Sequence, residues 1–122
     1  MRHVPNVTLL GVDCVEIHRL ELAISICLKD FTFDAVKMLT SLPTESTYAV
    51  SIPPIRSIKA YSHFMLKEAY KYIDTEFALV VQHDGFILNP DAWKDEYLAY
   101  DYIGAPFYNE DTGILTVGNG GF

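Results

Sequence analysis

The chain has 122 residues, half of them apolar and 13 % aromatic, and carries a net charge of -7. This length and composition exclude a disordered chain and predict a single domain over residues 1–122 with a hydrophobic core. The negative charge speaks against nucleic acid or an anionic membrane as a partner, since both require clustered Lys and Arg.

The charge is unevenly distributed along the chain. Residues 1–71 contain 8 basic and 7 acidic side chains, whereas residues 72–122 contain 9 acidic side chains and one basic residue, Lys94. Such an excess is typical of a solvated acidic surface. A site for a divalent cation is the alternative interpretation.

The two cysteines, Cys14 and Cys27, lie in apolar surroundings and form no Cys-x-x-Cys pair. This pattern predicts reduced thiols in a cytoplasmic protein rather than a zinc site or a disulfide framework. The apolar run at residues 7–12 is too short for an ordinary signal sequence, and no stretch approaches the length of a membrane span.

The first half of the chain predicts alternating strands and helices. Residues 7–12 read as a buried strand, and residues 16–29 as a helix with one apolar stripe. That stripe consists of Ile17, Leu20, Ile24 and Leu28. Strands are expected at residues 35–39 and 48–52, and Pro53 and Pro54 stop the second of them.

The second half continues the alternation. Ser57 is expected to cap a helix that extends to about residue 73. Its predicted core stripe is Ile58, Tyr61, Met65, Ala69 and Tyr72. The continuous apolar run at residues 77–81 predicts an inner strand beside the strand at residues 7–12. Asn89 and Pro90 predict the start of a short helix, and residues 102–106 and 115–117 are the last extended segments.

This order predicts an α/β fold, with a doubly wound, mainly parallel sheet and helices on both faces. Ligands of such sheets bind outside the carboxyl ends of the strands. Small or polar residues follow three of the apolar strands at this edge: Asp13, Cys14, Ser41, Gln82, Asp84 and Gly85. Because parallel strands share one carboxyl edge, we expect Asp13 and Asp84 to face the same cleft.

Asp84 is the candidate metal ligand. A carboxylate that follows a buried strand has a rigid support, and Gly85 allows a sharp turn with room for a ligand. Mn²⁺ or Mg²⁺ could bind Asp84 together with a diphosphate and act as a Lewis acid on it. The alternative is an ordinary turn after a strand.

Several segments resemble a glycosyltransferase-like family that is catalogued as a domain of unknown function. They are residues 80–86 (VVQHDGF), 88–93 (LNPDAW), 100–106 (YDYIGAP) and 117–122 (VGNGGF), with further similarity at residues 7–14 and 61–75. The resemblance implies the glycosyltransferase A fold and a nucleotide sugar, with UDP as the expected nucleotide. The chain then looks like the amino-terminal part of such a domain, incomplete at its carboxyl end.

The resemblance also implies roles for residues. Enzymes of that fold hold the metal and the sugar diphosphate with an Asp-x-Asp motif, whose last position Asp84 occupies here, while Gln82 replaces the first Asp. Asp13 and Cys14 would lie near the base or ribose, and Ser41 and Gly85 belong to the same edge. Residues expected near the donor sugar or acceptor are Asp101, Asn119, Gly120 and Gly121.

Three side chains allow two interpretations each. Strand alternation turns His83 away from Gln82 and Asp84, which favours a structural role over ligand binding. Trp93 and Tyr97, four positions apart, form a core patch of the short helix or, alternatively, a surface for sugar stacking. Asp101 either faces an acceptor or caps a loop.

Two functions follow from these observations. The first is an enzyme that transfers a sugar from a nucleoside diphosphate donor to an acceptor that the sequence does not identify. The second is a non-catalytic module that binds a nucleotide or glycan, which the loss of the first Asp of the motif favours. We expect the isolated chain to have little transferase activity and, through the apolar surface around Phe122, to self-associate.

Overall fold

The computed structural model describes residues 1–104 and 106–117. Within them, the strands are β1 (Arg2–Val12), β2 (Phe31–Thr40), β3 (Ala49–Ser51), β4 (Phe77–Val81), β5 (Pro106–Asn109) and β6 (Ile114–Val117). The α-helices are α1 (Ile17–Cys27) and α2 (Ile58–Lys67), and short 3-10 helices cover Ala69–Tyr72, Pro90–Ala92 and Asp95–Ala99. β5 and β6 form a separate antiparallel pair.

The main sheet of the described residues has four strands in the order β3-β2-β1-β4, and every pairing in it is parallel. β1 pairs with β4 from Val7 opposite Phe77 to Gly11 opposite Val81. The predicted parallel sheet and the predicted adjacency of these two strands are therefore confirmed. The architecture is α/β and compatible with a Rossmann-like fold.

β4 is an edge strand of this sheet as far as the described residues extend, so the expectation of an inner strand is wrong there. Its Phe77 and Leu79 are half-buried and pack against the core cluster of Val4, Val7 and Phe31. The apolar run thus reflects cover on the faces of the strand. A sequence pattern of that kind carries no information on whether both edges are paired.

The helices cover opposite faces of the sheet, as predicted. Leu9 of β1 packs with Leu20 and Ile24 of α1, while its neighbour Leu10 packs with Phe64 of α2. Gly11 allows α1 to approach closely, because a Cβ atom there would lie 2.6 Å from Cδ1 of Leu20. The predicted stripe of α1 is buried or half-buried throughout.

The start of α2 matches the prediction, and its buried stripe matches in part. The Ser57 hydroxyl accepts a hydrogen bond from the Ala60 N–H at 3.0 Å, as expected of a cap. Ile58, however, is 87 % exposed, and Phe64 is the buried side chain of the helix. Met65, Ala69 and Tyr72 of the predicted stripe pack against the same core cluster as Phe64, so the prediction is correct for them and wrong at Ile58.

The segment after β4 forms 3-10 turns in place of the expected short helix. Pro90 takes the first position of the first turn, but the Asn89 side chain makes no capping hydrogen bond, so that part of the prediction is wrong. Trp93 packs edge-on against Phe31 at 6.2 Å and Tyr97 at 5.4 Å between ring centroids. These contacts place Trp93 in the core cluster beneath β1 and favour its structural interpretation.

No helix among the described residues has the length and apolar character to cross a bilayer.

Candidate ligand cleft at the carboxyl edge of the sheet

A cleft of about 460 Å³ opens where β1 and β4 end and α2 begins. Its position agrees with the rule that open parallel sheets bind ligands beyond the carboxyl ends of their strands. The residues that line it are Val12, Asp13, Cys14, Val15, Arg19, Ile55, Arg56, Ser57, Ile58, Tyr61, Gln82, His83 and Asp84.

A tight turn after β4 projects Asp84 into the cleft. The Gln82 N–H donates to the Gly85 carbonyl at 2.8 Å and the Gly85 N–H donates to the Gln82 carbonyl at 3.1 Å, so His83 and Asp84 form the tip. Gly85 is buried, and its φ is not positive, so the turn does not need the conformational freedom of glycine. The Asp84 side chain is 69 % exposed, with the His83 ring nitrogen 4.0 Å away.

The Asp13 carboxylate is already engaged by the protein. Its oxygens accept hydrogen bonds from the N–H groups of Val15 at 2.8 Å and Glu16 at 3.1 Å, and from Nε of Arg19 at 2.8 Å. Burial alone would raise the pKa of Asp13, but these hydrogen bonds and the Arg19 charge outweigh it and lower the pKa below its ordinary value. Asp13 therefore fixes the start of α1 and orients Arg19.

Arg19 interacts with both carboxylates of the cleft. Its hydrogen bond to Asp13 is the main cause of its raised pKa, and attraction to Asp84 adds to it. The Arg19 side chain remains 35 % exposed. Because Asp13 neutralises much of the Arg19 charge, these two residues together contribute little net charge to the α1 side of the cleft.

The opposite wall belongs to α2 and the loop before it, and it differs in charge. Arg56 is exposed and makes no ion pair with any described residue. Further along the helix, the hydroxyl of the half-buried Tyr61 accepts a hydrogen bond from Nε2 of Gln82 at 3.3 Å. This contact joins the end of β4 to α2 across the inner part of the cleft.

Apolar side chains complete the cleft. Val12, Cys14 and Ile55 pack against the core cluster beneath α2. Val15 and Ile58 are 74 % and 87 % exposed and stand at the rim. An apolar lining with a few polar groups is typical of small-molecule sites.

The structure brings together four of the predicted site residues, namely Asp13, Cys14, Gln82 and Asp84. Ser41 does not line the cleft, because the loop after β2 turns toward α1, where the Thr44 hydroxyl donates to Glu21 at 2.7 Å. Asp101 is exposed and also lies outside the lining. The predicted residues Asn119, Gly120 and Gly121 lie outside the described part of the chain.

Three polar residues of the cleft are absent from the predicted site: Arg19, Arg56 and Tyr61. His83 also lines the cleft, so the expectation that it turns away from Gln82 and Asp84 is wrong, because it lies at the tip of the turn after β4. Arg19 could have been found from its place six residues after Asp13, since a carboxylate in the turn before a helix can reach a side chain of the first helical turn. Arg56 directly precedes the predicted cap Ser57 and therefore belongs to the carboxyl edge. Tyr61 was assigned to the core because its spacing from Met65 suits a buried stripe.

The capacity for a metal ion is limited. In residues 1–104 and 106–117, no group of three or more His, Cys, Asp or Glu side chains is placed to hold a metal ion. Asp84 is the more exposed of the two carboxylates in the cleft lining, and the His83 ring nitrogen lies 4.0 Å from it. A cation at Asp84 would need water and the oxygens of a bound phosphate, a combination that Mg²⁺ often uses.

Comparison with known proteins gives one match. No curated protein and no solved structure matches the chain significantly. A family model described as "Protein of unknown function (DUF5672)" matches residues 46–122, a range that includes α2, β4 and the turn with Asp84. Since this range covers more than half of the chain, the protein belongs to that family.

Proposed function

We propose that the chain is the nucleotide-sugar-binding domain of a glycosyltransferase with the glycosyltransferase A fold. Its ligand would be a nucleoside diphosphate sugar, with UDP as the expected nucleotide, bound in the cleft at the carboxyl edge. Both cysteine thiols are free, which supports a reducing, cytoplasmic location for this activity.

One observation carries the proposal: an unpaired arginine and an exposed carboxylate face the same cleft beyond the sheet. Arg56 presents planar, paired donors of the kind that bind phosphate oxygens well. Asp84 stands at the other side, where a divalent cation could join it to the same diphosphate. The apolar side chains between them suit the base or the sugar ring.

Each charged residue of the cleft would have its own role in binding the ligand. Arg56 would bind and orient the diphosphate, and Arg19, held by Asp13, would face it from the α1 side. Asp84 would hold Mn²⁺ or Mg²⁺, and the metal would neutralise charge on the departing diphosphate. Asp13 itself would act on the ligand only through Arg19, since its oxygens are occupied.

A non-catalytic nucleotide- or glycan-binding module is the second candidate. The observation that favours it is the state of Gln82, which replaces a carboxylate and donates to Tyr61. The two candidates predict the same binding but different turnover. Release of UDP from a UDP-sugar in the presence of an acceptor would support the enzyme.

The proposal can be tested with a thermal-shift panel of UDP, GDP, ADP and UDP-glucose, each with Mn²⁺ or with EDTA. A ligand at 100 times its Kd stabilises a protein by about 2.7 kcal/mol. We expect UDP and UDP-glucose to raise Tm, more strongly with Mn²⁺. Asp84→Asn should remove the Mn²⁺-dependent part.

Asp91→Asn is the matched control, because Asp91 is an exposed aspartate outside the cleft lining. It should leave every shift unchanged. If no nucleotide raises Tm under either condition, the proposed function is wrong. If Asp84→Asn responds like the wild type, Asp84 has no part in binding the cation.

A further inference from the structure

Tyr61 and Gln82 form a neutral polar pair in the lining of the cleft. Both side chains are half-buried and both line the cleft, one from α2 and one from the end of β4. The hydrogen bond of 3.3 Å from Nε2 of Gln82 to Oη of Tyr61 fixes how each group presents its remaining hydrogen-bonding capacity.

The pair keeps two donors and one amide acceptor for a ligand: the O–H of Tyr61, the second N–H of Gln82 and Oε1 of Gln82. Because Oη of Tyr61 accepts from Gln82, its own proton is available to another acceptor. Because Gln82 donates through Nε2, its Oε1 is available to another donor. Among residues 1–104 and 106–117, no side chain or backbone group takes up any of these capacities.

These two groups discriminate between classes of ligand. A phosphate carries acceptors only, so it would satisfy the two donors but leave Oε1 of Gln82 facing a negative oxygen without a donor. A divalent cation would suit Oε1 but leave the Tyr61 proton without an acceptor. A hydroxyl group both donates and accepts, and neighbouring hydroxyls on a sugar ring can serve both protein groups at once.

We infer that Tyr61 and Gln82 form a subsite for the hydroxyl groups of a sugar ring, which rests on the proposed function of the cleft. Gln82, in this account, determines specificity for a neutral group instead of binding a metal. The cleft then has a charged part at Arg56 and Asp84 for the diphosphate, and a neutral part at Tyr61 and Gln82 for a sugar. That sugar is either the ribose of the nucleotide or the transferred sugar.

The experiment is isothermal titration of the 122-residue chain with UDP, UDP-glucose and inorganic pyrophosphate. Tyr61→Phe removes the hydroxyl alone, and Gln82→Met removes the amide at similar volume. We expect each to weaken UDP-glucose binding about fivefold, the usual effect of one neutral hydrogen bond. Pyrophosphate binding should remain at the wild-type level. Tyr70→Phe is the control, since Tyr70 is 65 % exposed and outside the cleft lining.

The two ligands identify which sugar is bound. An equal loss for UDP and UDP-glucose assigns the subsite to the ribose, and a loss for UDP-glucose alone assigns it to the transferred sugar. The inference is overturned if both variants bind UDP and UDP-glucose like the wild type, or if they lose pyrophosphate equally. A wild-type protein that binds neither nucleotide overturns the proposed function as well, so the two failures are distinguishable.

Discussion

The two junctions at which a strand leads into a helix beside the cleft are built in opposite ways. After β1, the carboxylate of Asp13 accepts from two backbone N–H groups of the turn into α1 and from Arg19. After β3, Ser57 caps α2 with one neutral hydrogen bond, and Arg56 beside it has no ion-pair partner among the described residues. The charged side chains of the first junction pair with each other, whereas Arg56 of the second junction is exposed and has no ion-pair partner among the described residues.

This difference indicates a division between stability and binding. A buried charge such as that of Asp13 stabilises the fold only when its ion-pair partner, here Arg19, is present. An exposed, unpaired charge contributes little to stability and is available to a ligand. Substitutions at the α1 junction should therefore lower the free energy of unfolding, whereas substitutions at the α2 junction should lower ligand affinity.

The largest effect on stability is expected from Asp13→Ala. The change leaves the N–H groups of Val15 and Glu16 without their acceptor and removes the partner of Arg19, at a cost of about 3 kcal/mol in the free energy of unfolding. Urea denaturation followed by circular dichroism measures it. Asp91→Ala, on an exposed aspartate, should cost less than about 0.5 kcal/mol, and equal losses for the two variants would contradict the account.

Asp13→Asn distinguishes the contribution of the charge from that of the hydrogen bonds to the backbone. Asn can still accept from the backbone, so only the charge-assisted bonds with Arg19 are lost, at about 2 kcal/mol at pH 7. The pKa of Asp13 is lowered in the folded protein, so its contribution is present above the ordinary value of 3.8 and is lost as the pH falls through the folded value. The difference from the wild type should shrink below about pH 3.8, and a constant difference down to pH 2 would contradict this origin.

Gly11→Ala tests how closely α1 is packed on the sheet. The new Cβ would meet the end of the Leu20 side chain at 2.6 Å, and the adjustment should cost about 1.5 kcal/mol. In a Leu20→Ala background the clash disappears, so the same substitution should cost nothing. If the cost is the same in both backgrounds, the approach of α1 at Gly11 is not what limits this position.

Much of the fold could be predicted because its apolar runs are long and uninterrupted. The strands around Leu10 and Leu79, the stripe of α1 and the cap at Ser57 all follow from local patterns. The edge position of β4 could not be predicted, because strand order depends on contacts between distant segments. β1 starts at Arg2, five residues earlier than expected. The early part of the strand was not predicted, because the pairing with β2 shifts register around Asn6, whose φ is 61°, and the regular alternation of side chains is interrupted there.

The candidate site was predictable only in part, for a similar reason. The topology of a parallel sheet implies that Asp13 and Asp84 share an edge, and the cleft contains both. The sequence does not reveal the ion pair between Arg19 and Asp13 or the hydrogen bond between Gln82 and Tyr61. Both interactions depend on the side-chain geometry between different elements. Composition was misleading for Arg56, because a net charge of -7 conceals one exposed cation.

Ser57→Ala is expected to have a smaller effect on stability. It removes one neutral capping bond to the Ala60 N–H and should cost about 1 kcal/mol. Ser62→Ala, inside the same helix, serves as the matched control and should be neutral or slightly stabilising, because Ala has the better helix propensity. A loss at Ser57 as large as that of Asp13→Ala would remove the contrast between the two junctions.

The most direct test of the central claim is the affinity for UDP of Arg56→Ala, measured by titration calorimetry beside its free energy of unfolding. Arg2→Ala is the control, because it removes the same charge at the start of β1, far from the carboxyl edge. The account predicts at least about a tenfold loss of UDP affinity for Arg56→Ala, from the lost charge-assisted bonds, with stability unchanged within about 0.5 kcal/mol and no loss of affinity for Arg2→Ala. Wild-type affinity in the Arg56→Ala protein, or a loss of stability comparable to that of Asp13→Ala, would contradict it.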